Sequence, residues 1–236
     1  CLYLSNNENS KLFEGKNLRL GGSKSTYFEN GSIYGDLSAI LIENMPIWAE
    51  YISTPGKKVA LMSDWEHKMP AIVEETIKEN VTSLAGVPSW VLTLLNKTLE
   101  VSGKKAINEI WPNLEVYFHG GVSFNPYVNQ YNSIFKSDKV KYYEIYNASE
   151  GFFAVQDSNS SKELLLMLDY GIYYEFIPMD NYRNEDQKII NLSQVELNKN
   201  YAIVITTNAG LWRYSIGDTV RFTSLNPYRI LVTGRT

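Results

Sequence analysis

Cysteine is nearly absent from this sequence: Cys1 is alone among 236 residues. An internal disulfide framework and a multi-cysteine metal site are thereby excluded. Histidine is almost as scarce, with only His67 and His119. A zinc cage lacks imidazoles, and a Ser/His/Asp hydrolase set has little material. Excess positive charge is missing too. The 22 Lys and Arg are scattered among 26 Asp and Glu, for a formal net charge of -4. That balance makes no field for nucleic acid or an acidic membrane surface. No apolar run approaches the roughly 20 residues of a membrane span. No charged-then-apolar leader opens the chain. The expectation is a cytoplasmic protein that works on neither nucleic acid nor membrane.

What is present is ordinary for a globular protein, 44% hydrophobic and 20% charged. The length suits one sizeable core or two small subdomains. The chain opens on Cys-Leu-Tyr-Leu and closes on the strand-like run from Tyr228 to Thr236. Natural domains tend to taper into polar segments, so both ends are expected to be cuts.

Along the chain, residues 16–23 read as a short strand entering a glycine turn. The spacing of Leu37, Ile40, Leu41, Met45, Trp48, Ala49 and Ile52 is helical, with Pro46 expected to kink or split the helix. Asp64 is placed to cap a second helix from Trp65 to about Asn80. Val81–Val87 reads as a buried strand. Pro88 and Ser89 then open a helix that stops near Gly103. Further strands are expected at 114–118, 140–146, 164–168, 172–177, 201–206, 211–216, 219–223 and 229–233, with one helix at 126–135. The fold class that follows is α/β: a largely parallel sheet with flanking helices over 1–156, then a smaller antiparallel or barrel-like sheet over 157–236.

Four segments carry candidate chemistry. Gly21-Gly-Ser-Lys-Ser-Thr26 tempts as a phosphate loop, but the Walker spacing fails, so a plain turn is the default. Gly120 and Gly121 follow a strand, where missing side chains let a flat ligand approach the backbone. Tyr146-Asn147-Ala148-Ser149-Glu150 ends another strand. Its small residues again permit close approach, its Tyr ring could cover an aromatic ligand, and Glu150 is a hard oxygen donor of the kind Mg²⁺ takes. In Trp212-Arg-Tyr-Ser-Ile-Gly-Asp218, two strands are expected to meet at Gly217-Asp218. A hairpin accounts for that pair, while its carboxylate could also accept two hydrogen bonds from a ribose diol. Arg235 could reach a ribose or phosphate oxygen.

A strand-end Gly-Gly, then Tyr-x-x-Ser-Glu, then Arg-Tyr-x-x-Gly-Asp, then Gly234-Arg235, in that order, resembles the nucleotide motifs of adenylate-forming enzymes. Gly86-Val-Pro-Ser-Trp90, His119-Gly-Gly-Val-Ser123 and Tyr174-Glu-Phe-Ile-Pro178 are similar to bacterial members of the acyl-acid amido synthetases, the auxin-conjugating Gretchen Hagen-type family. The likeness extends over essentially the whole chain. It implies an ATP-dependent ligase that uses Mg²⁺. A small carboxylic acid becomes an acyl-adenylate and then an amide with an amine or amino acid. By the same resemblance Gly120 and Gly121 lie against adenine or ribose, and Tyr146, Asn147, Ala148 and Ser149 line the adenine slot. Glu150 holds Mg²⁺, Asp218 binds the ribose hydroxyls, and Arg235 sits at the ribose and hinge. Tyr214 belongs to the nucleotide site, although Trp212 shares its expected strand face and either ring could be the nearer. Trp90, Val91 and Leu94 are assigned to the acid pocket, though they fit a core stripe as well. The family's phosphate loop and C-terminal domain are expected outside this chain, leaving the piece alone inactive. An acyl-CoA ligase and a non-catalytic nucleotide-binding module are the alternatives.

Overall fold

The computed structural model describes residues 2–22, 27–183 and 186–236. The chain forms two compact units that divide between Tyr143 and Glu144. The centre of the expected phosphate-loop segment, Ser23–Thr26, lies outside the described residues.

In the first unit, strands β1 (Lys16–Arg19), β4 (Ser53–Thr54), β5 (Val81–Gly86) and β6 (Val116–Gly120) pair in the order β4-β1-β5-β6. Every one of these pairings is parallel. Strands β2 (Tyr27–Glu29) and β3 (Ser32–Tyr34) make a separate antiparallel ribbon. The helices are α1 (Leu2–Ser5), α2 (Leu37–Glu43), α3 (Ile47–Tyr51), α4 (Lys57–Ala60), α5 (Trp65–Thr76), α6 (Pro88–Ser102) and α7 (Val128–Phe135).

Local chemistry sets these boundaries. The Asp36 carboxylate accepts the Ala39 N–H at 3.1 Å and starts α2, and Pro46 divides α2 from α3 as the sequence leads one to expect. Asp64 caps α5 by accepting from Glu66 N at 2.9 Å. Helix α6 has Pro88 in its first turn, where no N–H is needed. It ends at Gly103, whose φ of +67° suits a residue without Cβ and whose N–H reaches Leu99 O at 3.0 Å. Between these caps Val91, Leu92, Leu94, Leu95 and Thr98 are buried at helical spacing. They pack with Leu18, Ile72, Leu84, Trp111, Tyr117, Tyr131 and Phe135. Each such aliphatic side chain removed from water contributes about 1.5–3 kcal/mol. Strand β6 begins two residues later than expected because Leu114 N–H turns back to Trp111 O at 3.1 Å.

The second unit takes up β7 (Lys141–Ala148) from Glu144 and continues through β8 (Gly151–Val155), β9 (Leu164–Leu166), β10 (Ile172–Pro178), β11 (Ile190–Asn191), β12 (Asn200–Thr207), β13 (Tyr214–Leu225) and β14 (Tyr228–Arg235). Their order is β11-β10-β12-β13-β14-β9-β8-β7, antiparallel at each described pairing. Phe153, Tyr174, Phe176, Tyr201, Ile203, Ile205, Val220, Phe222 and Ile230 form its core. The Phe176 and Phe222 rings meet edge to face at 5.1 Å, the arrangement favoured by the ring quadrupoles.

One expectation is overturned here. Gly217-Asp218 is not a hairpin, because β13 runs unbroken from Tyr214 to Leu225. Gly217 takes a φ of +81° beside a register shift in the β12–β13 pairing. This is a bulge, in which three residues of β13, 216–218, stand against Ile203 of β12, and the two extra residues twist the strand without reversing it. The reversal expected there lies earlier, where Thr207 O accepts the Gly210 N–H at 3.1 Å and Leu211 O accepts the Thr207 N–H at 2.9 Å. Leu211–Arg213 therefore stands outside the strand. Among the described residues no helix is long and apolar enough to cross a membrane.

Candidate functional site

In the second unit three of the expected site residues meet. Asp218 and Arg235 are cross-strand partners on β13 and β14. The Arg235 Nε lies 3.3 Å from Asp218 Oδ1, with side-chain exposures of 76% for the arginine and 19% for the aspartate. From β7, the Tyr146 hydroxyl donates to Asp218 Oδ2 at 2.8 Å. Arg235 Nη2 also donates to Ile216 O at 3.3 Å. Gly217 in the bulge lies against the Arg235 guanidinium. A Cβ on Gly217 would sit 3.4 Å from Arg235 Nη2, on a backbone whose φ of +81° already disfavours side chains. Burial raises the Tyr146 phenol well above its ordinary pKa, and its bond to the Asp218 carboxylate raises it further. The phenol therefore keeps its proton and acts as donor.

The rest of that motif forms a tight turn. Ala148 pairs with Gly151, so Ser149 and Glu150 are the two loop residues of the β7–β8 hairpin. Asn147 and Ser149 are exposed, Ala148 and Glu150 half-buried. Among the described residues no three His, Cys, Asp or Glu side chains gather as a metal cage. A lone carboxylate at a turn fits Mg²⁺, which keeps several waters and binds mainly through substrate phosphates. Tyr214 opens β13 and is partly exposed, whereas Trp212 lies outside the strand and is almost fully exposed. The two rings do not share a strand face.

In the first unit, Gly120 ends β6 and Gly121 follows it with a φ of +81°. His119 beside them is only 4% exposed, stacked on Phe124 at 4.2 Å. Its Nδ1 has no hydrogen-bond partner, and burial pulls the imidazole down to about 4, leaving it neutral. Val91 and Leu94 are fully buried in the core, while Trp90 is 45% exposed with its ring 5.7 Å from that of Trp65. The Gly21-Gly22 turn is held by Lys68, a buried lysine whose Nζ donates to both glycine carbonyls at 3.1 Å. The Gly22 N–H, a would-be phosphate donor, goes to Ser38 Oγ at 2.6 Å.

Sequence reasoning missed the contacts that join the motifs. Arg213 Nε and Nη2 donate to Glu175 Oε2 and Oε1 at 3.0 and 2.9 Å, a two-pronged pair. Arg213 holds a φ of +44°, and its own N–H goes to Thr206 Oγ1 at 3.0 Å. Arg229 similarly grips Asp157, with Nη2 to Oδ2 at 2.7 Å. The guanidinium holds the Asp157 carboxyl below its ordinary pKa. The available signal was a single acid inside the apolar run Ile172–Pro178 and a single base between two aromatics at 212–214.

The fold is shared with solved acyl acid amido synthetase structures. The structure of the GH3.15 acyl acid amido synthetase in complex with 2,4-DB matches all of this chain and 50% of its own, with a TM-score of 0.79 at 16% identity. More specifically, the GH3 family N-terminal domain matches residues 9–140 and the GH3 family central domain matches residues 165–235. The chain belongs to the GH3 family. Similar proteins include the indole-3-acetic acid-amido synthetase GH3.4 of Arabidopsis thaliana, 27% identical over 66% of this chain and 27% of the relative. The jasmonoyl-L-amino acid synthetase JAR4 of Nicotiana attenuata is 28% identical over 74% of this chain and 30% of its own length. The chain thus spans well under half the length of these curated relatives.

Proposed function

We propose that the complete protein is an ATP-dependent acyl-acid amido synthetase, and that this chain carries its ribose and metal contacts. The observation that carries the reading is the Asp218 carboxylate, which lies with Arg235 in the segment that matches the family's central domain and is held by Arg235 and by the Tyr146 hydroxyl. In the first step a carboxylate oxygen of a small acid attacks the α-phosphorus of ATP, and pyrophosphate leaves. In the second, an amine nitrogen, typically that of an amino acid, attacks the acyl carbon and AMP leaves. The amide, rather than a thioester, is favoured by relatives whose names state amino-acid or amido conjugation.

Within this scheme Asp218 accepts the ribose hydroxyls and Arg235 lies beside them. Gly120 and Gly121 offer bare backbone to the adenine or ribose, and Asn147, Ala148 and Ser149 border the base. Glu150 would hold Mg²⁺, which when bound would supply positive charge beside the phosphates. Trp90 presents the exposed ring of the three residues assigned to the acid. No side chain need carry a proton in the first step, since acid and nucleotide are both ionised at neutral pH. Positioning is then the main contribution of these residues.

The test is pyrophosphate exchange by the full-length protein. Asp218→Ala is expected to raise the KM for ATP with a smaller change in kcat. Glu150→Gln is expected to lower kcat with a smaller change in KM, because it acts where charge develops. Negligible effects from both would reduce them to ordinary turn and bulge residues.

A further inference from the structure

The Asp218 carboxylate has about four lone-pair positions, two on each oxygen. Tyr146 occupies one on Oδ2 at 2.8 Å, and Arg235 engages Oδ1 at 3.3 Å. One acceptor position on each oxygen is left over. A carboxylate presenting one free acceptor per oxygen suits two neighbouring hydroxyls, as in the 2′,3′-diol of a ribonucleoside. That match requires the carboxylate plane to be fixed, since a freely turning carboxylate gains little from a second hydroxyl.

Arg235 is a weak anchor for that purpose. Its side chain is 76% exposed and the contact is long. Tyr146 is a strong one. Its ring is nine-tenths buried, and it packs on the fully buried Phe153 with centroids 5.0 Å apart. Its hydroxyl reaches from β7 to β13, elements 72 residues apart in sequence. Resting on the ribose reading of Asp218 given above, we propose that Tyr146 is a positioning residue. Its phenol locks the Asp218 carboxylate in the orientation that selects a nucleotide with an intact ribose diol. Tyr146 then acts through its hydroxyl more than through the face of its ring, which the protein itself largely covers.

The experiment measures equilibrium binding of ATP, 2′-deoxy-ATP and 3′-deoxy-ATP to the full-length protein and its Tyr146→Phe and Asp218→Asn variants. Thermal melting of each variant serves as the folding control. Tyr146→Phe is expected to weaken ATP binding roughly tenfold, the scale of a hydrogen bond to a charged group. The deoxynucleotides should be affected far less, so the preference for ATP over them shrinks towards unity. Asp218→Asn should erase the preference as well. Tyr146→Phe weakening all three nucleotides equally would mean that the hydroxyl serves a contact other than the ribose diol and would overturn the proposal. Tyr146→Phe keeping the full preference while Asp218→Asn loses it would also overturn the proposal, with the ribose reading intact. Asp218→Asn binding all three as the unmodified protein does would instead bring down the ribose reading itself.

Discussion

The two units lean on different partners for their polar side chains. In the first, the partners are backbone carbonyls: Trp111 Nε1 donates to Thr76 O, Tyr131 Oη to Pro88 O, Tyr117 Oη to Gly86 O, and Lys68 Nζ to Gly21 O and Gly22 O. In the second, Tyr174 Oη also donates to a carbonyl, that of Met167, but three pairs of side chains join distant segments: Tyr146 with Asp218, Arg213 with Glu175, and Arg229 with Asp157. A carbonyl acceptor persists whatever residue carries it, so the first unit asks only that its chain path be kept. A side-chain pair needs both members, because removing one leaves the other desolvated and unpaired. On the proposed reading the first unit is a scaffold that presents bare backbone at Gly120 and Gly121. On the same reading the second unit supplies the side-chain contacts.

The contrast breaks most readily at Leu94. If the first unit is scaffold at this position, Leu94→Ala costs about 3 kcal/mol, as large-to-small changes at fully buried sites do. The KM for the acid would stay unchanged in the molecules that fold. Urea denaturation with acid kinetics decides the matter. A variant as stable as its parent but with a raised KM for the acid would move Leu94 into the pocket.

His119 sharpens the comparison, being one of several buried groups of the first unit with an atom, here Nδ1, that lacks even a backbone partner. Its folded pKa of about 4 lies below its ordinary 6.5. Between those values the unfolded chain binds a proton that the folded ring refuses. The contribution to stability is therefore whole above pH 6.5, is lost as pH falls, and levels off below 4. About 2 kcal/mol of stability should disappear between pH 7 and 5 on this account. His119→Phe should flatten that part of the profile. An identical pH slope in the variant would show that the imidazole takes up its proton without cost in the folded state.

The smallest expected effect lies in the second unit. Glu175→Ala should cost about 1 kcal/mol, since Arg213 is half in solvent and screened. Glu175→Ala and Arg213→Ala together should cost less than the two losses added. A double-mutant cycle with no coupling would mean that this pair, at least, behaves as two independent surface groups.

Much of the first unit was legible because its signals are local. Asp64, Pro88 and Gly103 mark helix ends within a few residues of the hydrogen bonds they make or spare. The second unit yields less to such reading. Strand β8 was not expected, since the loop before it is only Ser149-Glu150 and Gly151 reads as part of the turn. Gly217-Asp218 reads as a reversal, yet pairing on both sides of β13 keeps the strand running through it. For the candidate site, motif order brought Asp218 and Arg235 forward, and they do pair. The hydrogen bond from Tyr146 spans 72 residues and left no mark in local spacing. Neither did the Glu175–Arg213 fork, although both of its segments had drawn notice for their likeness to family motifs.

That fork has a consequence for inheritance. Two stretches of sequence, 38 residues apart, are tied into one heritable unit by two parallel hydrogen bonds. A lysine at 213 would keep the charge but lose the fork. An alanine at 175 would leave an arginine held at a φ of +44° with its guanidinium unclaimed. Drift at either position is therefore cheap only when the other drifts with it, and descendants of this chain should carry both residues or neither.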